Sequence, residues 1–141
     1  MTRFQFSLDK VLDVRWTAEE EAKRHYAAAQ QVLSEQEEML YLLRQEKRSL
    51  LEVPERSINR MQVQHWYLME LDRQTSLVEE QLFHSKQAVE QALGEYITAQ
   101  KERKVLEKLE ERQKEEYDMK EKQIEQKMLD EMSTRKLAFH S

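Results

Sequence analysis

The sequence predicts an all-α protein: two long helices in an antiparallel coiled-coil hairpin, the second helix overhanging the first. Three observations carry that expectation. The 141 residues contain one proline, Pro54, and one glycine, Gly94, so almost nothing outside the Val53-Pro54-Glu55 stretch can stop a helix. Charged residues make up 36% of the chain and apolar residues 39%, enough for a seam between helices but not for the interior of a two-layer fold. Apolar residues also recur at three- and four-residue steps on both sides of Pro54, the period of a coiled-coil face. The expected organisation is a single coiled-coil domain over residues 1–141, with helix one at about 8–52, a turn at about 53–57 and helix two at about 58–136.

Helix one has a start signal. Ser7 is the expected N-cap and Asp9 suits the positive end of the helix dipole. Phe6 and Val11 then occupy the two positions of a hydrophobic staple. The seam runs Leu8, Val11/Leu12, Arg15, Ala18, Ala22, His25/Tyr26, Ala29, Val32/Leu33, Gln36, Met39/Leu40, Leu43, Glu46/Lys47, Leu50. Small residues in its first half let a partner helix approach closely.

Helix two carries a longer stripe: Leu68, Leu71, Thr75, Val78, Leu82, Ser85, Val89, Ala92, Tyr96, Ala99, Arg103, Leu106, Glu110, Gln113, Tyr117, Lys120, Ile124, Lys127, Glu131. Its positions are mostly apolar or small up to Leu106 and mostly polar beyond. Gly94 falls on the outer face, where it costs about 1 kcal/mol relative to alanine. With the turn near Pro54, the start of helix one should face roughly Ala99 to Leu106, leaving about 30 residues, roughly 45 Å, of helix two uncovered. Lys101 to Lys136 holds 11 acidic and 11 basic residues. Glu110–Lys114, Glu116–Lys120, Asp118–Lys122 and Glu131–Arg135 are acid-to-base pairs at i, i+4, each worth a few tenths of a kcal/mol. The same stretch keeps a sparse apolar line (Leu106, Leu109, Tyr117, Ile124, Met128, Met132), which suits a helix that lies against another surface.

Composition excludes several classes of function. The chain has no cysteine, which removes disulfides and thiolate metal sites and fits a reducing compartment. No run approaches the roughly 18–20 apolar residues that span a bilayer, and Met1 to Phe6 lacks the apolar core of a secretory signal. The expectation is a soluble, cytoplasmic protein without direct membrane insertion. A net charge of −5 argues against nucleic acid as a partner. His25, His65, His84 and His140 make no metal pair at helical spacing. There is no phosphate loop or nucleophile motif, and a two-helix hairpin offers no pocket to tune a carboxylate pair. A non-enzyme with no cofactor, no metal and no catalytic residue is expected.

One aromatic cluster stands out, His65-Trp66-Tyr67. Successive helical residues point about 100° apart, so the three cannot all enter the seam. They either cap the hairpin end or form an exposed docking patch. Trp16 and Phe83 raise the same question.

The opening Phe4-Gln5-Phe6-Ser7-Leu8-Asp9-Lys10-Val11-Leu12-Asp13-Val14-Arg15, followed by Glu19-Glu20-Glu21-Ala22-Lys23-Arg24, resembles the start of the flagellar export protein FliJ family. Ile124-Glu125-Gln126-Lys127-Met128-Leu129-Asp130-Glu131 resembles that family's C-terminal signature. Helix lengths and turn position fit too, so the resemblance covers essentially the whole chain. It implies a coiled coil similar to the stalk of rotary ATPases. It also implies a component peripherally associated with the flagellar type III export apparatus at the inner membrane. The implied partners are the hexameric export ATPase, which such proteins bind and activate, the cytoplasmic domain of the export gate, and export chaperones.

By gapless matching, the resemblance places the gate-contacting surface on Gln36, Leu40, Leu43 and Lys47 with Tyr67, Leu71, Gln74 and Val78. This chain departs from the family there. Aromatic positions of that patch are Leu43 and Lys47 here, and its small and histidine positions are Gln74 and Val78. Leu43, Leu71 and Val78 also lie on the seams and read equally as core, which leaves Tyr67, Lys47 and Gln74 as the better candidates. At the other end, the expected ATPase contacts are Arg103, Arg112, Gln126, Lys127, Asp130 and Glu131, each of which reads alternatively as solvated helix face. Two other functions compete with the stalk adaptor. One is an escort for export chaperones or substrates whose seam, with the polar Gln36, Thr75 and Ser85, opens around a client helix. The other is a structural coiled coil that self-associates through the overhang.

Overall fold

The computed structural model describes residues 3–54 and 56–140, with side chains in the last helix through Ala138. Glu55 of the expected turn, Met1 and Thr2 of the opening hexapeptide and the His140 side chain lie outside the described residues. Two helices pack against each other and no strand occurs among the described residues. Helix α1 is Asp9–Glu52, 44 residues, and α2 is Ile58–His140, 83 residues. α2 therefore runs about four residues past its expected end, because nothing between Lys136 and His140 breaks a helix. α1 stops two residues before Pro54, whose ring disfavours the helical conformation in the residue before it.

The start of α1 corrects the expected cap. Leu12 N–H donates to Leu8 O at 2.9 Å, which makes Leu8, not Ser7, the cap residue, and places Ser7 in a turn closed by Asp9 N–H on Phe6 O at 3.2 Å. The frame moves by one residue, which puts Ser7 and Leu12 at the two staple positions and removes the expected Phe6–Val11 staple. Phe6 and Leu12 are buried while Val11 is exposed. Leu12 sits on the seam face and Val11 does not.

The chain divides into two compact units. One comprises residues up to Glu19 with Ala99 onward, the other residues 20–98. In the second unit, Leu40, Leu71, Val78 and Ala92 are buried, along with Ser85. Leu33, Leu43, Leu50, Leu68, Thr75, Leu82 and Val89 are half-buried between them. Where the sequence offered two seam candidates, the second is the inner one: Tyr26, Leu33, Leu40 and Lys47 are less exposed than His25, Val32, Met39 and Glu46. No described side chain is fully enclosed, as two helices alone cannot surround a residue. Each inward leucine therefore contributes less than the roughly 1.5–3 kcal/mol of full burial. Stability accumulates along the length of the seam.

Ser85, polar at a seam position, donates its hydroxyl hydrogen bond to Gln36 Oε1. Tyr26 and Tyr96 meet edge to face with centroids 6.2 Å apart. Gly94 faces outward as expected, and a Cβ there would meet nothing within 4 Å.

Pairing in the first unit corrects the expected register. Arg15 meets Glu102 at 2.6 Å, Glu19 meets Arg103, and the Phe4 ring lies 5.5 Å from that of Tyr117. Residues near the start of α1 were expected opposite Ala99 to Leu106, but Arg15 and Glu19 occupy that level. The segment before α1 covers α2 out to Tyr117. About 23 residues of α2, roughly 35 Å, follow Tyr117, fewer than the 30 expected to overhang.

Candidate functional site

The closest-knit chemistry in the first unit surrounds Arg103. Its side chain and that of Glu19 are 12% and 7% exposed. Nε and Nη2 of Arg103 donate to the two Glu19 oxygens at 2.6 and 3.1 Å, and Nη1 donates to Glu107 Oε2 at 2.8 Å. The guanidinium lies over the Trp16 ring, 4.2 Å from its centroid, a cation–π contact. The bonds it donates to Glu19, and then the one to Glu107, raise the Arg103 pKa well above its ordinary value, against the opposing effect of burial. A planar fork matched to a carboxylate is what arginine offers and lysine does not. Sequence reasoning placed Arg103 on the seam and missed Glu19. A charge on a seam calls for a counter-charge across it, but the expected register put Glu19 at the wrong level.

The expected ATPase contacts therefore separate. Arg103 is committed internally. Arg112, exposed, pairs with Glu116 at 3.6 Å, and Gln126 Nε2 donates to Asp130 at 3.2 Å. Gln126, Lys127 and Asp130 line a shallow groove along α2 with Lys120, Gln123 and Ile124, and Glu131 lines a second one with Thr134 and Arg135. Ile124, Met128 and Met132 are exposed. None of the four expected acid-to-base pairs is closed. Glu116, expected with Lys120, pairs with Arg112 instead, and exposed pairs differ too little in energy to fix which one forms.

In the second unit, the expected gate-contacting residues divide by depth. Leu40, Leu71 and Val78 are buried, so a partner could reach these three only by parting the helices, and Gln36 and Leu43 are half-buried. Lys47, half-buried, pairs with Asp72 at 2.7 Å. Gln74 is exposed and donates to Glu70 at 3.2 Å. Tyr67 is exposed along one edge and its hydroxyl donates to Glu46. That bond, then partial burial and the Glu46 charge, raise the Tyr67 pKa.

Beside Tyr67 lies an open groove of about 620 Å³ lined by Glu46, Ser49, Leu50, Val53, Arg60, Val63, Gln64 and Tyr67. It was not legible from periodicity, because it forms where the seam ends. Gln64 holds it together: its Nε2 donates to Leu50 O at 2.7 Å and to Val53 O at 3.4 Å. These carbonyls at the end of α1 lack helical partners, and α1 has no basic residue in its last turn to serve them.

No group of three or more His, Asp or Glu side chains among the described residues is arranged to hold a metal ion, and no described helix is long and apolar enough to cross a membrane. A two-helix hairpin whose second helix exposes a sparse apolar line on a charged surface defines an all-α, coiled-coil-like protein. The family model of the Flagellar FliJ protein matches residues 4–139, and the chain belongs to that family. Membership gives it a role related to flagellar export. No individual curated protein sequence matches the chain significantly.

Proposed function

We propose that the protein is a non-catalytic, stalk-like adaptor of the flagellar export apparatus. Its C-terminal stretch of α2 binds and activates the hexameric export ATPase, and its hairpin unit contacts the cytoplasmic domain of the export gate. The observation that carries this reading is the part of α2 beyond Tyr117. It is helical and exposes Ile124, Met128 and Met132 among charges. Charged, rotamer-rich contacts suit a shaft that meets several equivalent subunit surfaces in turn, since a dry hydrophobic contact would lock it against one. Arg112, Gln126, Lys127, Asp130 and Glu131 are the contact residues on this reading, with Arg103 holding the first unit together. Tyr67, Lys47 and Gln74 are the gate contacts within reach of a partner. Ser85 donates its hydroxyl hydrogen bond to Gln36 Oε1, a bond across the seam that a client helix would have to break.

The test is the hydrolysis rate of the cognate export ATPase with the full chain and with a chain ending at Tyr117, which keeps the Phe4 contact. Stimulation by the full chain and none by the shortened one is expected. Equal stimulation by both would remove the C-terminal stretch from the working end.

A further inference from the structure

Residues 3–8 are not helical, yet they cover α2 out to Tyr117. Burial alternates along them, with the period of an extended chain. Phe6 is 7% exposed, Phe4 and Leu8 are half-buried, and Arg3, Gln5 and Ser7 are exposed. On α2, Leu106, Leu109, Gln113 and Tyr117 are half-buried. Beyond Tyr117 the same face is open. At 100° per residue Gln113, Ile124, Met128 and Met132 all point within about 60° of Tyr117. One stripe of α2 is therefore covered in its first part and bare in its second, where Ile124, Met128 and Met132 are 54%, 62% and 68% exposed. A partner laid along the bare part meets the Phe4 ring next, 5.5 Å from that of Tyr117.

This cover can lift without unwinding a helix. The first α1 bond is accepted by Leu8 O, and the turn before it is closed by Asp9 N–H on Phe6 O. Among the described residues no hydrogen bond or ion pair joins residues 3–8 to α2. Three apolar side chains hold the segment there, against the backbone entropy of six ordered residues. Further along α1, Arg15 with Glu102 and Glu19 with Arg103 fasten the helix independently. We propose that residues 3–8 are an autoinhibitory strap. Closed, they stop a partner short of Tyr117. Lifted, they leave α1 in place and free the whole stripe from Leu106 to Met132. The inference rests on the adaptor reading of the C-terminal stretch and adds its regulation: the export ATPase engages fully only those chains whose strap is open.

The chain has no cysteine, so Phe4→Cys with Tyr117→Cys can be joined selectively by a short bis-maleimide, with the same chain capped by N-ethylmaleimide as control. Phe4→Ser with Phe6→Ser opens the strap instead. The concentration giving half-maximal stimulation of the ATPase should fall about fivefold for the open variant, the reciprocal of the open fraction in the native chain, and rise for the joined chain relative to its control. Helicity should stay unchanged in both, since the strap is not helical. Without any ATPase, chymotrypsin should cut the native chain after Phe4 and Phe6 before it cuts within α1. Open and joined chains that stimulate like the native one overturn the proposal. Weaker stimulation by the open variant overturns it too, by making the two rings contacts in their own right. If no form stimulates, the adaptor reading fails separately. Cleavage then decides the strap: early cuts after Phe6 uphold it, and resistance equal to that of α1 overturns it.

Discussion

Arg103 occupies a seam position where a leucine would satisfy the heptad, and its guanidinium is held by two carboxylates and an indole. A buried pair of this kind is expensive to break from one side, because removing one partner takes from the other, largely shielded from water, its bidentate counter-charge. Arg103→Met alone should therefore lower the melting temperature markedly. Glu19→Leu with Arg103→Met should restore most or all of it, by replacing the pair with apolar packing. Thermal melts followed by circular dichroism decide the point, and a double variant as unstable as the single one would show that the pair itself contributes net stability.

Tyr67 gives a pH signature at the same scale. Its hydrogen bond to Glu46 favours the neutral phenol, so its pKa is higher folded than unfolded. The contribution is then complete below about pH 10 and lost as pH rises through the folded value. The melting-temperature difference between the native chain and Tyr67→Phe should be constant from pH 7 to 9 and shrink above 10. A difference that stays flat to pH 11.5 would remove Glu46 as the cause.

Among elements, α2 holds the more instructive substitutions. Gly94 is exposed and unobstructed in mid-helix, so Gly94→Ala should raise stability by about 1 kcal/mol in denaturant titration. No change there would point to strain absent from the folded geometry. Leu71, 3% exposed, is the most buried apolar side chain among the described residues. Leu71→Ala should cost about 2–3 kcal/mol, and a cost below 1 would mean the seam collapses readily around the gap. Both helices were legible from the sequence, because period and breaker content are local properties. The cap, the staple and the register were not. Ser7 and Leu8 compete for the cap within one turn, and the level at which Arg15 and Glu19 meet α2 depends on how the five residues between the helices run.

For the whole molecule, family and fold agree with the sequence reading, while the candidate contact residues divide. Neutralising Arg112 and Lys127 together should reduce stimulation of the export ATPase severalfold without changing helicity, and unchanged stimulation would return both residues to solvent. Periodicity ranked Tyr67, Lys47 and Gln74 above their seam neighbours, and burial of Leu71 and Val78 agrees with that order. It could not exclude Arg103 from the surface set, since a charged residue reads as exposed until its partner across the seam is known. By itself the sequence determined that there are two helices, where they break, which face of each is inward, and the family to which they belong. All of these follow from local spacing and residue type. Only the tertiary structure decided the register, the burial of Glu19 with Arg103 and the groove at Gln64. Those depend on the relative level of two helices joined by a short non-helical link, which no repeat within either helix encodes.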